Sequence, residues 1–256
     1  MNSVEFEKII LATKTKQTRI LMGMPITVEI LDPEIPEKIF NRVFDYFAYV
    51  DNRYSPFKIT SEVSLINQGK IRPNEWSTEM KSLLAMAEET RQLSDGFFDV
   101  RTPEGKLNPS GIVKGWAIHN AANILKEAGV QDFYVDAGGD IEVHGAVWRI
   151  GIRNPWNRNE NVKIVSLKNA GIATSGTYIR GDHIYNPKNG ENVNEISSLT
   201  VIGPDAYEAD RFATAGFAMG AEGINFIERL AGFEGYMIDQ KGIATLTSGF
   251  EKYTYV

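Results

Sequence analysis

Asp210 and Thr214 lie four residues apart in "EADRFATAG", residues 208–216. The stretch otherwise reads as a buried helix, and that spacing stacks a carboxylate and a hydroxyl on one face. A buried aspartate needs a partner. A helix-to-loop hydrogen bond beside a surface threonine would satisfy it. So would a hard cation, because Mg²⁺ takes a few oxygen ligands and keeps waters or phosphate oxygens. Three more clusters could carry chemistry. In "NPSGIVKGWAIHN", residues 108–120, Gly111 and Gly115 leave backbone open near a helix start, where N–H groups favour anions, and Lys114 adds charge. A plain cap with a solvated lysine reads the same residues. In "VDAGGDIEV", residues 135–143, Gly138, Gly139 and Asp140 make either a tight hairpin or a turn that a ligand approaches closely. In "IATSGTYIRGDHIYNPKNGE", residues 172–191, Thr174, Ser175 and Gly176 end a strand in a hydroxyl-rich turn, and His183 is either structural or a general base.

Composition narrows the chemistry. The chain has 256 residues, no cysteine, and a net charge of −6. Without thiolates there is no disulfide, zinc–thiolate site or cysteine nucleophile. The three histidines, His119, His144 and His183, fit no helical zinc spacing. An oxygen-ligated Mg²⁺ or Ca²⁺ is therefore favoured over zinc. The acidic balance argues against nucleic acid and anionic membrane partners. The N-terminal apolar run, Ile9 to Ala12, is too short for a signal peptide or a span, so the expected location is cytoplasmic.

Strands and helices mix without strict βαβ alternation, which predicts an α+β fold: one large domain over residues 1–256, with room for a small subdomain. Residues 18–31 read as extended, broken at Gly23 and Pro25. Pro36 opens a helix with the stripe Ile39, Phe40, Val43, Phe44 and Phe47. Residues 51–75 read as loop. Ser77 or Thr78 caps a second helix that ends near Gly96, and a third runs from Ser110 to a stop at Gly129. "DFYVDAG", "DIEVHG", "WRIGIR", "VKIVSL", "IATSG" and "SLTVIG" read as strands, Asp205 and Glu208 start a helix, and "GYMID", "GIATLTSG" and "YTYV" read as terminal strands.

The order of the blocks resembles that of the ApbE family of flavin transferases. "MGMP", "YSPFKITSEVSLIN", "DGFFDV", "NPSGIVKGWA", "VDAGGDI", "IATSGTYIRGDHIYNP" and "ADRFATA" resemble the family's ordered blocks, and the likeness runs from Met22 to Gly242. It implies a fold of mixed sheets with packed helices. It also implies Mg²⁺-dependent transfer of the FMN half of FAD to a Ser or Thr hydroxyl of a target flavoprotein, releasing AMP. The implied metal ligands are Asp210 and Thr214, with the carbonyls of Gly111 and Ala213. The implied FAD contacts are Met22, Tyr54, Phe97, Phe98, Asp99, Asn108, Lys114 and Ile184, with Gly138 to Asp140 and Thr174 to Gly176 lining the same pocket. Tyr54 would lie against the flavin or adenine ring. Lys114 would stabilise phosphate charge. His183 would take the acceptor proton, with Asp210 as its rival. Four positions depart from the family pattern: Asn108, Asn186 and His119 stand where it usually has Asp, and Met24 where it has Thr. Competing expectations are an FAD pyrophosphatase yielding FMN and AMP, and a non-catalytic flavin binder.

Overall fold

Met22 and Gly23 turn the expected extended run into a hairpin. Both have positive φ, 53° and 72°, the two-residue geometry whose twist matches that of the flanking strands. β1 (Thr15–Leu21) and β2 (Met24–Ile30) therefore pair antiparallel. The structure, a computed structural model, describes residues 15–157, 159–176 and 184–254. β2 pairs with β3 (Phe133–Ala137), which returns through Gly138–Gly139, again both at positive φ, into β4 (Asp140–His144). The sheet continues through β7 (Ala170–Gly176), β8 (Ile196–Gly203), β9 (Glu234–Asp239) and β10 (Ala244–Leu246). β5 (Trp148–Arg153) and β6 (Asn161–Leu167) form a separate ribbon. Every pairing among these strands is antiparallel, as the α+β expectation requires.

Period-two alternation divides the apolar residues between two cores. Val28, Val135 and Ala173 face the helices, whereas Ile141, Val143 and Ile172 face the β5–β6 ribbon and Phe250. β8 is buried along its whole length because both faces are covered. Against the helical side lie α1 (Glu37–Tyr54), α2 (Glu62–Asn67), α3 (Thr78–Leu93), α4 (Ser110–Glu127), α5 (Ala206–Ala218) and α6 (Gly223–Glu228). Ser77 and Asp205 cap α3 and α5 as the sequence indicates, accepting from Met80 N and Glu208 N.

Three segments differ from the sequence reading. The expected loop over 51–75 holds the end of α1 and all of α2, because Ser61 caps α2 by accepting from Ser64 N at 3.0 Å. A 3-10 turn, Gly220–Glu222, carries α5 into α6, where Gly216 and Gly223 allow backbone contact. Of "YTYV", Tyr253 ends a 3-10 turn, Phe250–Tyr253, and Thr254 makes an isolated bridge to Val165; the last two residues lie outside the described ones. Among the described residues no helix is long and apolar enough to cross a membrane.

α4 and α5 cross through glycines. A Cβ at Gly115 would lie 2.5 Å from Ala206 O and from Asp210 Cβ, and one at Gly111 would lie 3.1 Å from Thr214 Cγ2. The two glycines, one turn apart, thus receive the ridge Ala206, Asp210 and Thr214. Gly115→Ala should destabilise by about 1–3 kcal/mol, the usual cost of overpacking. A Gly115→Ala protein with an unchanged urea midpoint would contradict the close crossing.

Candidate active site

The α4–α5 crossing forms one wall of a cavity of about 600 Å³, within the ~300–1,000 Å³ typical of small-molecule sites. Phe97, Phe98 and Asp99 line it from the loop after α3. Asn108, Gly111 and Lys114 reach it from the start of α4, and Asp210 and Thr214 from α5. Gly138 and Gly139 come from the β3–β4 turn, Thr174 to Gly176 from the end of β7, and Ile184 from the following loop. Residues spread over more than a hundred positions thus share one concave surface.

Its charged centre has three members. Asp210 and Asp140 are both buried, at 3 % and 2 % exposure. Lys114 Nζ forms an ion pair with Asp140 Oδ2 and lies 3.6 Å from Asp210 Oδ1. Asp140 Oδ1 accepts from Thr174 N at 3.0 Å. Asp210 Oδ2 accepts from Gly115 N at 2.8 Å. Thr214 Oγ1 lies 3.4 Å from Ser175 Oγ. Burial pushes the Asp210 carboxyl up to about 7; Lys114 opposes the rise and the neighbouring Asp140 adds to it. Among the described residues, two buried carboxylates face one ammonium at this centre.

Four expected contacts sit elsewhere. Tyr54 does not line the cavity. It is the last knob of the α1 stripe, after Phe47 and Val50, and packs edge-on against Trp116 at 5.5 Å. The exposed aromatic on the wall is Phe57, 89 % exposed. Carrying the stripe past Phe47 in steps of three and four would have assigned Tyr54 to the core. Met22 occupies the β1–β2 turn and packs on the helical core, while its neighbours Gly23 and Met24 line the cavity. Ala213 is fully buried, and Asp140 lines an adjoining chamber rather than the main one. His183 lies outside the described residues. Asn108 accepts from Ser110 Oγ at 2.7 Å and Ser110 N at 3.3 Å. An uncharged amide therefore does the turn-forming work of an aspartate at the head of α4.

A third buried carboxylate stands behind the site. Glu142 accepts from His119 Nδ1 (3.1 Å) and Lys126 Nζ (3.1 Å), both on α4, and from Ala206 N (3.2 Å) at the start of α5. Ligand atoms of His119, Glu142 and Asp205 all lie within 4.8 Å of one another. Glu142 is already served by three protein donors, and the cluster ties α4 and β4 to α5. Its hydrogen bond to Glu142 raises the His119 pKa above its ordinary 6.5. The folded form therefore holds the proton longer than the unfolded chain. This contribution is complete below about pH 6.5 and is lost as pH rises through the folded value. Wild-type urea midpoints should fall over that window relative to His119→Gln. Parallel pH profiles would exclude the linkage.

The ApbE family model matches residues 22–103 and 100–237. The chain belongs to the ApbE family. It is 31 % identical over 166 residues to the FAD:protein FMN transferase of Vibrio cholerae serotype O1, covering 59 % of this chain and 48 % of that one. With the enzyme of the same name from Klebsiella pneumoniae it shares 29 % over 161 residues, covering 57 % and 46 %. The match spans about half the length of these relatives. The ApbE protein of Thermotoga maritima superposes with a TM-score of 0.83 at 22 % identity, covering 95 % of this chain and all of that one. The flavin transferase ApbE of Vibrio cholerae gives 0.82 at 22 %, covering 94 % and 99 %. The ApbE fold of mixed helices and antiparallel sheets is thereby established for this chain.

Proposed function

We propose that this ApbE-family chain transfers the FMN half of FAD to a Ser or Thr hydroxyl of a target flavoprotein, with AMP leaving. The observation that carries the reading is the buried Asp210–Asp140–Lys114 centre, two carboxylates to one ammonium among the described residues, in the wall of a cavity of ligand size. The donor set is all oxygen: the Asp210 carboxylate, the Thr214 hydroxyl one turn on, and the Gly111 and Ala213 carbonyls. It fits a hard divalent cation such as Mg²⁺ better than a soft one. Such an ion would neutralise pyrophosphate charge during phosphoryl transfer.

The protein's own residues do the remaining work. Lys114, held by Asp140, places an ammonium at the head of α4 where phosphate oxygens would lie. Gly138 and Gly139 let ligand atoms approach the backbone, and Phe57 and Phe97 offer ring faces to an aromatic group. The acceptor oxygen forms a bond to the FMN-side phosphorus as the bond to the AMP oxygen breaks. The hydroxyl proton passes to a base, and His183 is the candidate. Asp210 is the poorer base when a cation holds its carboxylate, because the cation lowers its proton affinity.

Mass spectrometry tests the reading. The protein is incubated with FAD, Mg²⁺ and a flavoprotein domain bearing an acceptor Thr. A Mg²⁺-dependent gain of one FMN on the domain supports transfer. FMN and AMP free in solution would instead indicate a pyrophosphatase, and intact FAD a flavin binder.

A further inference from the structure

A smaller chamber of about 250 Å³ adjoins the main cavity. The two share Asp136, Gly138, Gly139, Arg153 and Thr174, but Lys114 and Asp210 belong only to the larger. Its volume falls below the ~300–1,000 Å³ of whole-ligand sites, so it suits one residue-sized group reaching in beside whatever fills the main cavity. Arg149 and Arg153 line it from the β5–β6 ribbon. They lie on the same face of β5 because they are four residues apart. A register shift falls at Ile152/Arg153, an irregularity of the kind that re-aims side chains beside functional sites.

The charges in the chamber are not equally engaged. Asp136 accepts from Gly139 N at 2.7 Å and from the Tyr134 hydroxyl at 2.9 Å. Asp140 is held by Thr174 N and Lys114. The Arg153 guanidinium makes no hydrogen bond or contact ion pair with any other described residue, although its charge is felt at Asp136. The acids are occupied and a forked cation is open, so the missing group is an anion. A planar carboxylate matches that fork. The phosphates of FAD are assigned to the centre at Asp210 and Lys114, which this chamber does not include.

Resting on the transferase reading, we infer that Arg153, flanked by Arg149, binds an acidic side chain of the acceptor polypeptide while its hydroxyl enters the main cavity. Arg153 is thus a specificity residue for the acceptor and not a flavin ligand.

The test measures binding without turnover. The acceptor is made as two fluorescent peptides of one sequence, one carrying Asp or Glu beside the acceptor Thr, the other with each Asp and Glu changed to Asn and Gln. Anisotropy with the FAD-loaded wild-type chain should show roughly tenfold tighter binding of the acidic peptide, about 1.4 kcal/mol. Arg153→Gln should bind both alike while its FAD affinity stays within about twofold. A wild-type chain indifferent to peptide charge overturns the inference. So does an Arg153→Gln protein that weakens FAD yet keeps the peptide preference, since the guanidinium would then serve a phosphate. A preference for the acidic peptide without FMN attachment sinks the transferase reading but leaves the carboxylate site. FMN attached equally to both peptides, without a binding preference, does the reverse.

Discussion

Asp210→Asn should yield a folded protein whose Mg²⁺-dependent turnover falls by roughly 10²–10³-fold or more, the scale expected when an electrostatic centre is removed. Asn keeps an oxygen that can accept from Gly115 N but has no charge for a cation. Stability should move the other way. The folded-state pKa of Asp210 is raised from 3.8 to about 7, so the folded form holds its proton after the unfolded chain has lost it. Stability therefore falls as pH rises from the unfolded to the folded value and stays lower above it. In metal-free buffer at about pH 8, Asp210→Asn should melt higher than the parent, an instance of function held at a cost in stability. Mg²⁺ should raise the parent's melting temperature and leave the variant's unchanged. Ion binding must displace the Asp210 proton, so affinity should climb about tenfold per pH unit below about 7 and then level off. An Asp210→Asn protein with full activity would refute the metal assignment.

Lys114→Met should have the largest effect on the fold. It leaves Asp140 and Asp210 facing each other, buried, with no ammonium between them. Removing one partner of a buried pair costs about 3–5 kcal/mol. The loss should be greatest in chelator at about pH 8 and smaller at about pH 5, where Asp210 regains its proton. Mg²⁺ should restore part of the stability, because a cation supplies the charge the lysine took away. Turnover should remain low even when the fold is rescued, since the ammonium no longer meets the phosphates. A variant equal to the parent in urea midpoint at both pH values would show that the pair does not depend on Lys114.

Local pattern carried much of the fold. The α1 stripe, the Ser77 and Asp205 caps and the Gly129 stop depend on neighbours within one or two turns, and they appear where periodicity places them. α2 was missed because six residues give too little periodicity, and only the Ser61 cap marks it. The C-terminal "YTYV" reads as β from propensity, but its tyrosine packs beside the second core in a 3-10 turn. Tyr54 shows the same limit at the site: its aromatic character suggested stacking, while the helical stripe it completes put it in the core and left Phe57 at the wall.

The sequence by itself determined the α+β class, the helix caps and the ordered blocks by which the chain resembles its family, since each rests on residue type and short spacing. It also singled out candidates: Asp210 and Thr214, because a carboxylate and hydroxyl one turn apart are visible without a fold, and Lys114, at a glycine-flanked helix start. Only the tertiary structure set Asp140 against Lys114 and Asp210, for these three come from β4, α4 and α5 and meet only where Gly111 and Gly115 let the helices close. Tertiary structure also decided that Arg153 opens beside the same cavity. Strand parity puts Arg149 and Arg153 on one face, but which face meets the Gly138–Gly139 turn depends on how the ribbon packs against the sheet.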